Sequence, residues 1–281
     1  MTPDIARWWS LLGGDDAVVE VRTLAGGGSG SAVHRLVTDR GRPFVLKVGT
    51  ASRELRFYRE LAPRVPVRVP RFVGGAERDG VCCVLLEPAG TAVRPVGRWV
   101  DLAAQLGRLH REPPDWPWAK PVHVATSAEI ASAGRAWAEL GQAALVAGLL
   151  PLVGRLGEAL GALPACLCHG DWHLGNLLDD GGDVVWIDWQ DTGVGHGPED
   201  LALLWQRAER DGWNPPRQAM LAAYAQARGI PDDAVLRRAA VAAELMLLLL
   251  SWPAHLAVAP PPARNRMVSR LKRLGQCICG E

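Results

Sequence analysis

The sequence predicts an α+β fold in which a small lobe of antiparallel strands precedes a larger, mostly helical lobe. Up to residue 86, short apolar runs alternate with glycine-rich and polar turns, the rhythm of a strand meander. Beyond residue 100, apolar residues recur at helical spacing instead. The one glycine-rich turn in the first lobe runs into a further strand, whereas a dinucleotide-binding unit follows its glycines with a helix. The expected division is 1–88 and 89–281, with a cleft between the two parts as the natural place for a small ligand.

Each element follows from local chemistry. Residues 18–23 form a strand entering the turn Gly26-Gly27-Gly28-Ser29-Gly30, and strands at 32–38 and 44–48 flank the polar turn 39–43. From 51 to 61 the period changes: Leu55, Tyr58 and Leu61 share a helical face, and the proline-rich run 63–70 ends the helix. Val81–Leu86 reads as a buried strand that stops at Pro88, which cannot donate to a sheet ladder. Residues 100–110 form an amphipathic helix, Trp116-Pro117-Trp118 lies in a loop, and helices are expected at 126–150 and 151–162. A short strand over 184–187 follows the turn 179–183, and further helices are expected near 198–211, 215–229, 232–250 and 261–274.

Composition narrows the function classes. With 31 Lys+Arg against 30 Asp+Glu the net charge is +1, which offers no general attraction to nucleic acid or an anionic membrane. The basic cluster Arg264, Arg266, Arg270, Lys272 and Arg273 reads as a solvated helix face. The longest apolar stretch, 241–259, is interrupted by Glu244, Pro253 and His255, so a buried helix is expected there instead of a membrane span. The six cysteines, Cys82/Cys83, Cys166/Cys168 and Cys277/Cys279, lack C-x-x-C spacing and read as free thiols of a cytoplasmic protein. Cys277 and Cys279 are the pair expected to be most reactive. Oligomeric state is not encoded in any motif.

The segment that carries chemistry is His169-Gly170-Asp171-Trp172-His173-Leu174-Gly175-Asn176, followed by Asp188 at the end of the next strand. Phosphoryl transfer to an alcohol needs a carboxylate to take the hydroxyl proton, oxygen ligands for magnesium, and a cation on the phosphates. Asp171 and Asn176, five apart, offer a carboxylate and an amide oxygen, and Asp188 offers a second carboxylate suited to a hard cation. A zinc site from His169, Asp171 and His173 is disfavoured because no third histidine stands at zincin spacing.

His-Gly-Asp-x-x-x-x-Asn followed by Ile-Asp resembles the signature of the aminoglycoside phosphotransferase and choline kinase-like family, from about residue 24 to 204. The resemblance implies a two-lobed protein-kinase-like fold, a nucleotide-binding lobe at 1–88 and a catalytic and substrate-binding lobe at 89–281. It implies ATP, with GTP as an alternative donor, and Mg²⁺ as cofactors, Asp171 as catalytic base, and Asn176 and Asp188 as metal ligands. Gly170 stands where protein kinases carry arginine, and Asp-Trp-Gln at 188–190 where they carry Asp-Phe-Gly, which points to small-molecule acceptors. Lys47 resembles the phosphate-binding lysine, with Glu54 as its ion-pair partner and Glu60 as the alternative. Gly27, Gly28, Ser29 and Gly30 resemble the loop over the phosphates, and the stretch around Glu87 the hinge that contacts the base. Asp200 matches the family's Asp-Leu-Ala element and is expected to anchor the 169–176 loop.

On the acceptor side, Asp191, Glu199 and Glu244, with Glu209 and Asp211, suggest a cationic, hydroxyl-bearing substrate, and Trp172, His173, Trp116 and Trp118 could stack on or line it. The overall appearance is similar to that of phosphotransferases acting on tuberactinomycin peptides (capreomycin and viomycin) in antibiotic resistance. Alternatives are an aminoglycoside, or choline, a sugar or an amino alcohol in metabolism. A catalytically inactive kinase-like scaffold would have lost the lysine or a metal ligand, and all four key residues are present.

Overall fold

The computed structural model describes residues 3–12, 16–24 and 30–279. In chain order the elements are α1 (Pro3–Leu12), β1 (Val18–Leu24), β2 (Ala32–Thr38), β3 (Pro43–Thr50), α2 (Ser52–Arg56), β4 (Phe72–Arg78), β5 (Val81–Leu86) and β6 (Thr91–Ala92). Then come α3 (Trp99–Leu109), α4 (Ser127–Glu139), α5 (Ala143–Ala147), α6 (Val153–Gly161), β7 (Cys166–Cys168), β8 (Leu177–Asp179), β9 (Val184–Trp186) and β10 (Gly193–Gly195). The chain ends in α7 (Pro198–Arg210), α8 (Arg217–Arg228), α9 (Ala234–Leu250), α10 (Trp252–Val258) and α11 (Pro261–Cys279). This is a two-lobed α+β kinase-like fold, with an N-terminal antiparallel sheet and a mostly helical C-terminal lobe.

Two compact units make up the chain. The first joins residues up to Val93 with Gly175–Thr192, and the second joins Arg94–Leu174 with residues from Gly193 onward. The first unit therefore takes back the β8–β9 hairpin from beyond the boundary expected near residue 88, because β8 hydrogen-bonds to β6 in a sheet of order β6-β8-β9.

In the first unit a five-stranded antiparallel sheet has the order β1-β2-β3-β5-β4. Ile5, Trp8 and Trp9 of α1 recur at i, i+3 and i+4 and pack on Leu36, Phe44, Leu46, Cys83 and Leu85. Side chains alternate faces along a strand, so with Phe44 and Leu46 on the α1 side, Lys47 points to the other. That other face carries α2, which continues as a wider helical turn over Phe57–Leu61 where one regular helix was expected. Gly75 of β4 makes this packing possible: a Cβ there would lie 2.4 Å from Leu55 Cδ1 and 2.8 Å from the Cys83 carbonyl oxygen.

The second unit is built on α3 against α8 and on α9 against α6 and α7. Its core includes Leu102, Leu106, Trp137, Trp205, Tyr224, Leu236 and Leu248, all fully buried. Trp137 Nε1 donates to the Leu249 carbonyl at 3.0 Å, tying α4 to α9. The apolar stretch 241–259 becomes the end of α9 and α10, bent by 53° at a break before Pro253. Among the described residues, 143–161 is long and apolar enough to cross a membrane by composition, but it is broken into α5, a tight turn at Leu150–Leu152 and α6. The helix expected over 126–150 is correspondingly divided into α4 and α5 by the turn at Gly141, whose φ is +72°.

Candidate active site

In the first unit the charged centre is Lys47. Its Nζ lies 2.7 Å from Glu54 Oε2 and 2.7 Å from Asp188 Oδ1. The lysine is buried, and burial alone would discharge it, but the two carboxylates outweigh that and raise its pKa above the ordinary value. Glu54 is buried in α2 and also accepts from the Thr50 hydroxyl, whereas Glu60, the alternative partner, is exposed. The α2 segment is fastened to the turn after Asp188: Arg53 Nη1 donates to the Gln190 carbonyl at 2.7 Å, and Phe57 stacks on Trp189 at 3.9 Å between ring centroids.

Asn176 and Asp188 stand at the same end of the β8–β9 hairpin. The Ile187 amide donates to the Asn176 carbonyl at 3.0 Å, which sets the two oxygen-bearing residues beside each other across the strand pair. Asn176 is buried. Asp188 adopts the left-handed region, φ 66° and ψ 62°, and the chain turns sharply there into Trp189–Asp191. Asp191 is half-buried in that turn. At the far end of the hairpin Arg68 binds Asp180 at 2.6 Å and Asp183 at 3.3 Å, which holds the β8–β9 register.

In the second unit, β7 delivers the loop that begins at His169. Gly170 has φ +84°, a left-handed posture that the arginine of protein kinases would adopt only under strain. Asp200, in the first turn of α7, accepts from the amides of His169 at 2.7 Å and Gly170 at 3.0 Å. Its Oδ2 also lies 3.2 Å from His110 Nε2. Buried His169 accepts from the Asp171 amide through Nδ1 at 3.3 Å, bracing the loop from beneath. Asp171 itself is half-buried. Burial works to raise its carboxyl, but the hydrogen bond and charge of His173, with His169 and Arg207 behind, hold it below the ordinary carboxylate range. His173 Nε2 lies 3.5 Å from Asp171 Oδ2. Arg207 and His255 were not anticipated. The Arg207 charge acts on both Asp171 and His255, and nothing in the spacing of α7 and α10 along the sequence announces that meeting.

The phosphotransferase enzyme family matches the chain over residues 20–239. The chain belongs to that family. No curated protein matches the chain. Solved structures do. A choline/ethanolamine kinase family protein from Mesorhizobium loti is 20% identical, with 98% of this chain and 94% of that chain covered and a TM-score of 0.64. An aminoglycoside phosphotransferase from Alicyclobacillus acidocaldarius is 17% identical over 99% and 94%, with a TM-score of 0.66. An aminoglycoside-3'-phosphotransferase of type VIII is 25% identical over 86% and 97%, with a TM-score of 0.56. As a member of this phosphotransferase family, the protein is an ATP-dependent small-molecule kinase.

Several of the phosphotransferase's sequence-predicted substrate residues are engaged elsewhere. Glu244 is buried in α9 and accepts from Arg270 Nε at 3.0 Å and Nη2 at 2.5 Å, with Arg217 at 3.6 Å. Glu209 binds Arg217 at 2.7 Å and Arg273 at 2.8 Å. Of the five basic residues of α11 read as a solvated face, Arg270 and Arg273 pair with carboxylates of α9 and α7, Arg264 and Arg266 donate to the Leu256 and Arg210 carbonyls, and Lys272 is exposed. Trp172 is fully buried, so it packs in the core and does not stack on a ligand. Trp116 and Trp118 are half-buried and tilted against each other, 6.0 Å between centroids. Glu199 Oε1 accepts from the His196 amide at 2.9 Å. The Glu87 side chain binds Arg71 at 2.6 Å and its amide donates to the Arg71 carbonyl, so any contact to a base at 85–88 falls to the remaining backbone groups. Gly27, Gly28 and Ser29 lie outside the described residues, as do the side chains of Cys277 and Cys279.

Proposed function

We propose that this phosphotransferase transfers the γ-phosphoryl of ATP directly to a hydroxyl of an amine-bearing small molecule, with no phosphoenzyme. The observation that carries the reading is the buried Lys47 ammonium held between Glu54 and Asp188, with Asn176 at the same end of the hairpin. Lys47, oriented by Glu54, is assigned to the phosphates. One carboxylate and one amide oxygen form a hard-oxygen donor set that fits Mg²⁺, which keeps its other positions for waters and phosphate oxygens. When bound, Mg²⁺ would offset charge on the transferring group. Asp171 is assigned to accept the hydroxyl proton, and its depressed pKa keeps it ionised and ready to orient that hydroxyl.

The acceptor class rests on what relatives of this fold are named for, choline/ethanolamine and aminoglycosides, which share a cationic nitrogen and a hydroxyl. An amino alcohol or an aminoglycoside is the preferred acceptor. A tuberactinomycin peptide has less support, because the similar structures are named for choline/ethanolamine and aminoglycosides and the stacking candidate Trp172 is buried.

The test is ATP or GTP consumption with product mass across ethanolamine, choline, kanamycin, hygromycin, capreomycin and viomycin. Phosphorylation of one of the first four is expected. Asp171→Ala should lower turnover about 10²–10⁴-fold while calorimetry shows Mg–ATP binding preserved, and Asp188→Asn should weaken that binding. Unchanged turnover in Asp171→Ala would overturn the base assignment.

A further inference from the structure

Strand β7 sends two thiols to one side. Cys166 and Cys168 are i and i+2 in a strand, so they share a face, and both are buried. Their Sγ atoms lie 3.9 Å apart. With the ring of His110, just past the end of α3, they form a group whose ligating atoms all fall within 4.8 Å of one another. Phosphoryl transfer uses neither sulfur.

The spacing discriminates between two kinds of thiol chemistry. Two thiolates on one tetrahedral Zn²⁺, at about 2.3 Å each, stand about 3.8 Å apart. The observed 3.9 Å is close to that span. A disulfide is the poorer fit, since strand residues i and i+2 have Cα atoms about 6.6–6.8 Å apart, at the outer edge of disulfide geometry.

Glu199 lies nearby but outside that set of mutually close ligating atoms. Glu199 uses Oε1 for the His196 amide, while its Oε2 is buried without a hydrogen-bond partner among the described residues. Its carboxylate and Cys168 Sγ flank the same glycine: a Cβ on Gly195 would lie 2.7 Å from the sulfur and 3.2 Å from Glu199 Oε1. His110 has its Nε2 at 3.2 Å from Asp200, leaving Nδ1, now 2.9 Å from the Tyr224 hydroxyl, as the ligating nitrogen. A carboxylate behind a histidine is the usual support for a metal-bound imidazole.

We propose that His110, Cys166 and Cys168 form a site for a thiophilic divalent cation of the Zn²⁺ class, built from none of the residues assigned to the nucleotide. Each thiol releases its proton to solvent as its sulfur lone pair bonds the cation, so no oxidant is required. Two thiolates balance the cation's charge. Such a cation would join the end of α3 to β7 and, through the contact of His110 with Asp200, reach the first turn of α7, the same elements that hold the loop bearing Asp171.

The test uses full-length protein stripped with chelator, carrying Cys277→Ser and Cys279→Ser, and titrated with Co²⁺ as the spectroscopic probe. The expected result is one equivalent bound with a thiolate-to-cobalt charge-transfer band, displaced by Zn²⁺. The band should be lost in Cys166→Ser and Cys168→Ser and kept in Cys82→Ala/Cys83→Ala. Absence of the band in the parent protein at saturating Co²⁺, or its survival in both serine variants, overturns the proposal. If the serine variants do not fold, alkylation of the parent protein decides the same question. Zn²⁺ should protect Cys166 and Cys168 from modification located by mass, and equal labelling with and without Zn²⁺ overturns the site.

Discussion

Asp171 stays ionised because His173 and the charges behind it outweigh the effect of burial. Removing the partner should release that hold. In His173→Ala the carboxyl is expected to titrate higher, so the acid limb of the kcat/KM profile moves to higher pH while the plateau falls far less than in Asp171→Ala. A pH profile that does not shift would show that His173 does not act on the base. Asp188 presents a different problem, since its left-handed backbone favours Asn and Gly over other substitutes. Asparagine is therefore the cleaner probe of the lost charge, and alanine would add a backbone penalty of about 1 kcal/mol or more.

At the scale of elements, the seating of α2 on the sheet decides whether Glu54 reaches Lys47. Gly75→Ala would push a methyl into Leu55 and the Cys83 carbonyl. The expected cost is about 1–3 kcal/mol in denaturant unfolding, together with a raised KM for ATP as α2 shifts. Glu244→Ala separates structure from substrate binding: it removes the buried carboxylate shared by Arg270 and Arg217, leaving them Glu209, and should cost about 1–3 kcal/mol with the acceptor KM unchanged. The strands β1, β2, β3 and β5 were legible in the sequence because alternation and turn chemistry agree there. Strand β4 was not, since Gly74 and Gly75 remove the apolar signal and a proline-rich run precedes it. Helix α1 went unread although Ile5, Trp8 and Trp9 repeat at helical spacing, because ten residues carry little weight alone. The meaning of Glu244 was hidden for another reason, as its partner stands 26 residues away on a different helix.

At the scale of the molecule, the signature of the phosphotransferase family was readable because it is local: Asp171, Asn176 and Asp188 fall within one short stretch. The surroundings of Asp171 were not readable, because Arg207 and His255 arrive from separate helices. Mg–ATP at 100 times its Kd should stabilise the protein by about 2.7 kcal/mol, a gain expected to persist in Asp171→Ala and to shrink in Asp188→Asn at the same ligand concentration. The first unit is also assembled from two stretches, with the β8–β9 hairpin supplied after residue 174. On the ribosome, the amino-terminal sheet must then wait for the intervening residues 94–174 to be made, roughly 4–16 s at ordinary elongation rates. Throughout that interval the Lys47 ammonium lacks one of its two acidic neighbours, and the nascent chain has neither Asn176 nor Asp188, the residues proposed to hold Mg²⁺. Activity in this protein is thus a late product of translation, and a release fragment ending before residue 188 would be born unable to acquire it.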